Sequence, residues 1–293
     1  MNFGKILKRY RIDDPDRFRL GSVDTADTGG LDLDKDDGKT MLAEDTERLA
    51  DLQQRLYAHD RWALLVVLQG MDTAGKDGVI KHMMGGLNPQ GCEVHPFKAP
   101  TSRELDHDFL WRAAVRLPAR GDINIFNRSY YEEVLVVRVH PEILAGQKLP
   151  ASLVTRHVWT ERYDDINAFE RYLARNGTLI RKFFLHVSKE EQRRRFLARL
   201  DDPAKNWKFA SADLAERDRW DDYMKAYEQA LSKTSTNHAP WFIVPADHKW
   251  FTRLAIARLV VEALEGLDLA FPKASRAHLG ELAEARKRLE SGA

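Results

Sequence analysis

Apolar residues gather into five short runs along this chain, and stretches with helical spacing separate them. Leu64-Leu65-Val66-Val67-Leu68 reads as a strand buried on both faces. Cys92 to Phe97 is a short strand, Ile123 to Phe126 a second core strand, and Thr178 to Val187 a long one. Trp241 to Val244 is the last. Between them, Leu42, Leu49, Leu52 and Leu56 keep a helical interval over Thr40 to His59. Thr101-Ser102-Arg103-Glu104 has capping-box form and opens a helix to Leu117, stopped by Pro118. Further helical stretches run over Tyr130 to Val137, from the Ser188 cap onward, over Asp247 to Leu264, and around His278 to Leu289. Strands that each lead into a helix predict an α/β fold with one doubly wound, five-stranded parallel sheet.

The pattern divides the chain into an N-terminal arm and packing helix (1–60), one main domain (61–270) and a C-terminal helix (271–293). The arm is basic and aromatic, with Lys5, Lys8, Arg9, Tyr10, Arg11, Arg17 and Arg19. Two readings stay open for it: a segment that touches a polyanion, or, preferred, a solvated terminus packed on a neighbour. Residues 22–39, rich in Asp, Gly and Thr, read as a loop or linker.

Composition narrows the class without deciding it. At 293 residues, 43% hydrophobic and 31% charged, the chain has ample material for a core. Forty-six Lys+Arg against forty-five Asp+Glu leave a formal charge of +1, so attraction for polyanions must come from local clustering. The single cysteine, Cys92, excludes an internal disulfide and fits a reducing, cytoplasmic setting. No apolar run reaches the ~20 residues of a membrane span, and the N-terminus lacks a signal-peptide core. Neither a membrane nor a nucleic-acid partner is expected. The ten histidines show no metal-ligand spacing, and no Gly-x-Ser-x-Gly elbow is present.

The candidate chemistry starts where the first strand ends. Gly70-Met71-Asp72-Thr73-Ala74-Gly75-Lys76 has the form of a phosphate-cradling loop between strand and helix. Backbone N–H groups around Ala74, Gly75, Lys76 and Asp77, at the start of the helix, would face an anion, and Lys76 adds a movable positive charge. Asp77 stands where a Ser or Thr hydroxyl would ordinarily hold magnesium, so Asp72 becomes the candidate metal ligand. At the carboxyl end of the Ile123–Phe126 run stand Asn127 and Arg128, which belong beside the loop provided the two strands are neighbours. Four arginines within seven positions (Arg193, Arg194, Arg195 and Arg199), followed by a basic loop through Lys205 and Lys208, suggest a lid over 188–215. Phosphoryl transfer is mostly positioning and charge neutralisation, and these parts suit it. Lys76 would grip the moving phosphoryl, Arg128 and the lid arginines would offset its charge, and Asp72 would hold Mg²⁺ or accept a proton.

Gly-Met-Asp-Thr-Ala-Gly-Lys-Asp-Gly at 70–78 resembles the first motif of the family-2 polyphosphate kinases. Ile-Phe-Asn-Arg-Ser-Tyr-Tyr-Glu-Glu-Val-Leu-Val-Val-Arg-Val-His at 125–140 resembles their second. Ser188 to Phe196, Asn206-Trp207-Lys208 and Ala239-Pro240-Trp241 also resemble that family, and the likeness spans residues 40 to 270. It implies a thymidylate kinase-like P-loop fold with a helical lid, dependence on Mg²⁺ with Mn²⁺ as a substitute, and a homodimer or homotetramer. The implied substrates are inorganic polyphosphate and nucleotides. Within it, Asp72 matches the aspartate near the metal, Lys76 the loop lysine, Arg128 the second-motif arginine, and Arg194 or Arg195 the lid arginine. Asn127 matches the position that is Asn in class III members, which use both AMP and ADP, and Asp in those restricted to one nucleotide level. The expected activity is therefore transfer from polyphosphate to AMP and ADP. The rivals are an ATP-dependent nucleotide or nucleoside kinase and a non-catalytic binding module.

Overall fold

A computed structural model describes residues 6–31 and 33–292 of the chain. Lys5 of the arm and the side chain of Lys208 lie outside the described residues. Five strands form one parallel sheet: β1 (Ala63–Gln69), β2 (Cys92–Pro96), β3 (Ile123–Asn127), β4 (Thr178–His186) and β5 (Trp241–Pro245), in the order β2-β3-β1-β4-β5. Every residue of β1 is buried, as a strand covered on both faces requires. The chain leaves β1 toward β2 and leaves β3 toward β4, in opposite directions, so β1 and β3 flank a topological switch point. Leu68 is in register with Asn127, and the Arg128 N–H donates to Leu68 O at 3.0 Å. The condition on which Asn127 and Arg128 join the phosphate loop is thereby met.

Among the described residues, eight helices of eight residues or more surround the sheet or extend from it: α1 (Lys35–His59), α2 (Lys76–Met84), α3 (Val158–Arg175), α4 (Lys189–Leu200), α5 (Ser211–Asp218), α6 (Trp220–Thr234), α7 (Lys249–Glu265) and α8 (Arg276–Glu290). Helix α7 packs along α1, and its buried residues include Phe251, Leu254, Ile256 and Val260. Helices α3 and α6, which apolar spacing alone did not reveal, pack against each other, and α3 also touches β4.

Several expectations change. The N-terminal arm is not a solvated segment: Leu7, Tyr10, Ile12 and Leu20 are buried in the protein's own core. Arg11 forms an antiparallel bridge with Phe242, and the Ile12 N–H donates to Trp241 O at 3.0 Å, so the arm covers the β5 edge. Residues 22–39 are not all loop, because α1 starts at Lys35 behind a capping box made by Asp34 and Asp37. The aspartates that suggested a linker serve as the cap. The helix expected from Thr101 to Leu117 is broken into Ser102–Leu105 and Trp111–Ala114, with Asp108 accepting from the Leu110 N–H at 2.9 Å between them. Its capping box, Thr101 with Glu104, is present. The Tyr130 stretch is a 3-10 turn over Tyr130–Val134, followed by a short α-turn at Val136–Val139. No described helix is long and apolar enough to cross a membrane.

Candidate active site

The loop after β1 is held in a shape that few residues tolerate. Gly70 has φ +154°, and a Cβ there would lie 2.8 Å from Leu185 O on β4. Thr73 follows at φ +63° and Gly75 at φ +114°, which turn the chain back before Lys76 opens α2. The Ala74 N–H, expected to face an anion, instead donates to Met71 O at 3.1 Å and closes the turn, so the anion-binding feature that the loop keeps is the start of α2 at Lys76. Thr73 Oγ1 is buried without a hydrogen-bond partner among the described residues, an orphan that suits a polar ligand in the loop.

Lys76 is buried, and its Nζ donates to Gly70 O at 2.7 Å and Met71 O at 3.2 Å. Burial pushes its pKa down to about 8, with the nearby Arg128 cation adding to the effect, although Asp72, Glu132 and Asp77 oppose it. Arg128 sits at φ +62°, a left-handed conformation uncommon outside glycine. Its Nη2 donates to Asp72 Oδ1 at 2.6 Å and its Nη1 to Glu132 Oε2 at 3.0 Å. Glu132 and then Asp72 hold its guanidinium firmly protonated against the cost of burial. Asn127 Nδ2 donates to Asp77 Oδ1 at 3.0 Å, which ties the amide at the end of β3 to the residue standing where a hydroxyl was expected.

The arginines of α4 do not share one role, and Arg195 departs from the phosphate-ligand expectation. Arg195 is buried against the phosphate loop: Nη1 donates to Thr73 O (2.9 Å) and Ala74 O (3.0 Å), Nη2 to Ala246 O (2.5 Å) and Asp247 O (3.2 Å), and Nε to Glu191 (2.7 Å). Those bonds occupy all five guanidinium N–H donors. Gln192 adds a bond to Asp72 O at 3.1 Å. The inner face of α4 is therefore a clamp on the loop. Arg194 points outward, 74% exposed and paired with Glu191, while Arg199 lines the cleft within 4.0 Å of Asp213.

The cleft has a volume of about 1320 Å³ and runs from the loop past Asn127 and Arg128 to α4, with the first turns of α7 along one side. Cationic side chains outnumber acidic ones in its lining by nine to five. Lys98 and Arg112 contribute from the segment after β2, and Lys249 and Arg253 from α7. Sequence reasoning missed all four. For Lys249 and Arg253 a signal existed, two cations at (i, i+4) just beyond the carboxyl end of a strand. Trp207, 77% exposed, lines the cleft, and its Nε1 donates to Ala204 O at 3.0 Å. Cys92 is buried, its thiol pushed up to about 12 by burial, in keeping with no nucleophilic role.

The acidic groups beside the loop are Asp72, Asp77 and Glu132. They are hard oxygen donors, yet no group of three among the described His, Cys, Asp and Glu residues could enclose an ion unaided. A Mg²⁺-type cation would need only one or two of these carboxylates, with water and substrate phosphates completing its shell. Of the three, Asp72 gives one oxygen, Oδ1, to Arg128 and has a second that could face an ion.

Comparison with known proteins agrees with this geometry. The family described as Polyphosphate kinase 2 (PPK2) matches residues 32–272. An ADP-polyphosphate phosphotransferase of Rhodopseudomonas palustris is 49% identical over 96% of this chain and 98% of its own length. An AMP/ADP-polyphosphate phosphotransferase of Meiothermus ruber is 45% identical over 91% of this chain and 96% of its own. The crystal structure of polyphosphate kinase 2 from Arthrobacter aurescens superposes with a TM-score of 0.87 at 44% identity, covering 96% of each chain. A tight glycine-bounded loop between strand and helix, an arginine locked beside it and a broad cationic cleft thus occur in a chain that belongs to the polyphosphate kinase 2 family.

Proposed function

We propose that the protein transfers the terminal phosphoryl group of inorganic polyphosphate to AMP and ADP, giving ADP and ATP, reversibly and with Mg²⁺ (or Mn²⁺) bound at Asp72. The observation that carries this reading is the cationic cleft, wide enough at about 1320 Å³ for two polyanions on either side of one phosphate loop. The name of the relative at 49% identity supports polyphosphate with ADP, and that of the relative at 45% supports polyphosphate with both AMP and ADP. Lys76 and the loop N–H groups bind the transferring phosphoryl, and Arg128 neutralises its developing charge. Arg199, Lys249 and Arg253 attract the rest of the donor chain. The divalent cation supplies charge neutralisation on the phosphates that its shell includes. A phosphate acceptor is already largely deprotonated near neutral pH, so no general base is required of Asp72. By family likeness the working form is a homodimer or homotetramer.

The test supplies AMP or ADP with Mg²⁺ and either polyphosphate or ATP as sole donor. Product from polyphosphate supports the reading. Product from ATP alone would identify an ATP-dependent kinase, and no turnover with any donor a binding module.

Asn127 bears on acceptor choice. The substitution Asn127→Asp would set a second carboxylate 3.0 Å from Asp77 in a site that already receives two polyanions. We expect the ratio of kcat/KM for AMP to that for ADP to change about tenfold, equivalent to ~1.4 kcal/mol. Equal losses with both acceptors would remove Asn127 from that choice.

Lys76 gives a pH dependence with opposite signs for activity and stability. Its pKa falls from 10.5 to about 8 on folding, so the free protein loses the loop cation as pH rises through about 8. The kcat/KM for polyphosphate, which reports the free enzyme, should decline above that pH. Over the same interval the unfolded chain binds more protons than the folded one, so stability rises from about 8 toward 10.5. Lys76→Arg, which stays charged, should lose the alkaline decline. An unchanged decline in that variant would assign it to another group.

A further inference from the structure

Beneath the turn that carries Arg128 lies a polar cluster sealed from water. Lys182 on β4 and Glu170 on α3 have fully buried side chains and meet at 2.6 Å. Glu170 Oε1 accepts from the hydroxyls of Tyr130 and Tyr131, each at 2.8 Å. Lys182 Nζ also donates to the Tyr131 hydroxyl at 2.7 Å and to Thr234 O at 2.8 Å. Every polar tip in the cluster is matched, but a buried ion pair is weak evidence of stability, because an apolar replacement of similar volume often serves as well or better. The cluster calls for another explanation.

What it grips supplies one. Tyr130 and Tyr131 open the 3-10 turn directly after Arg128 and Ser129. Ser129 Oγ accepts from the Tyr131 N–H and from Gln69 Nε2, both at 3.1 Å, tying the turn to the end of β1. Arg128, at φ +62°, keeps a backbone conformation that persists only where the surroundings over-determine it. That conformation is the one in which its guanidinium reaches Asp72 and Glu132. From the sealed pair, contacts run through the two tyrosine hydroxyls and the Ser129 turn to the arginine beside the phosphate loop.

We propose that Glu170 and Lys182 are positioning residues, which hold Arg128 in its left-handed conformation against Asp72 by way of the Tyr130 and Tyr131 hydroxyls. Neither touches substrate, and both act on the reaction only through Arg128. The kinetic side of this proposal rests on the phosphotransfer reading above; the structural side does not.

The test uses the full-length Tyr130→Phe/Tyr131→Phe variant, which keeps ring packing and the Glu170–Lys182 contact but removes the grip on the turn. Assayed well below its melting temperature, it should lose roughly 10- to 100-fold in kcat, with KM for AMP within about threefold of wild type. In an Arg128→Lys background the same two changes should cost less than about threefold, since residues acting as one unit are not additive. Independently of activity, amide exchange across residues 127–131 should accelerate about tenfold or more while β1 exchanges as before. Wild-type kcat, a loss that multiplies in full in the Arg128→Lys background, or unchanged exchange at 127–131 would each overturn the proposal. Should the double variant fail to fold, Tyr130→Phe, which leaves all contacts of Lys182 in place, is read by the same criteria. A wild-type protein without polyphosphate turnover would sink the proposed activity instead, and the exchange measurement alone would then decide the positioning role.

Discussion

Lys76→Met will lower kcat for transfer from polyphosphate by about 10³-fold and leave the melting temperature within a few degrees of wild type. The first half follows from position. Lys76 is buried at the first position of α2, directly after the loop, and removing one pre-organised donor from such a site costs about 10²–10³-fold. Lys76 supplies a full charge as well, which places the effect at the upper end. The second half follows from the cost of keeping that charge dry. A pKa depressed to about 8 means that burial disfavours the ammonium in the folded protein. Methionine keeps most of the volume and removes this penalty. Against it stands the loss of the bonds to Gly70 O and Met71 O, each worth ~1 kcal/mol. The terms nearly cancel. Steady-state kinetics beside a thermal melt decide it: near-normal kcat would show that the loop lysine is not at the reacting phosphoryl.

Arg195→Ala will unfold the protein more readily by about 3–5 kcal/mol, whereas Arg194→Ala will change stability by less than ~0.5 kcal/mol. The two arginines are adjacent in sequence and opposite in circumstance. Arg195 is 6% exposed and joins Glu191 to four backbone carbonyls, two on the phosphate loop and two after β5. Its removal takes from the buried Glu191 the inner of its two arginine partners and leaves those carbonyls unpaired. Arg194, 74% exposed, makes an i,i+3 pair with Glu191 that solvent screens. Chemical denaturation of both variants checks the contrast. An Arg195→Ala protein that melts normally but no longer uses polyphosphate would restore the phosphate-ligand role that its place in an arginine run first suggested.

That contrast shows how far the chain could be read without coordinates. The buried run at Leu64–Leu68, the glycines and lysine of the loop, and Asn127-Arg128 at a strand end are local patterns tied to local geometry. Parallel strands expose their carboxyl ends together, and the strand order then brings the loop and the arginine side by side. Helix α3 escaped notice because charged residues interrupt its apolar stripe: Arg162 and Glu170 point inward, where the other buried residues are Val158, Tyr163, Ile166 and Leu173. The N-terminal arm looked solvated for a related reason. Its basic residues alternate with the buried Leu7, Tyr10 and Ile12, and contacts are made far along the chain: Tyr10 meets Phe251 on α7, and the Ile12 N–H donates to Trp241 O on β5.

The sequence by itself determined the phosphate loop, the parallel α/β sheet and the family, because glycine spacing, apolar runs and strand-to-helix alternation act over a few neighbouring residues. Tertiary structure alone decided which charges are free to meet substrate. It turned Arg195 inward as a clamp, brought Lys249 and Arg253 to the cleft from α7, tied Asn127 to Asp77, and sealed Lys182 against Glu170. A charged side chain has the same composition and hydropathy in either role. Only the partners that folding places around it, and the water that folding removes, distinguish a residue that holds the loop from one that binds phosphate.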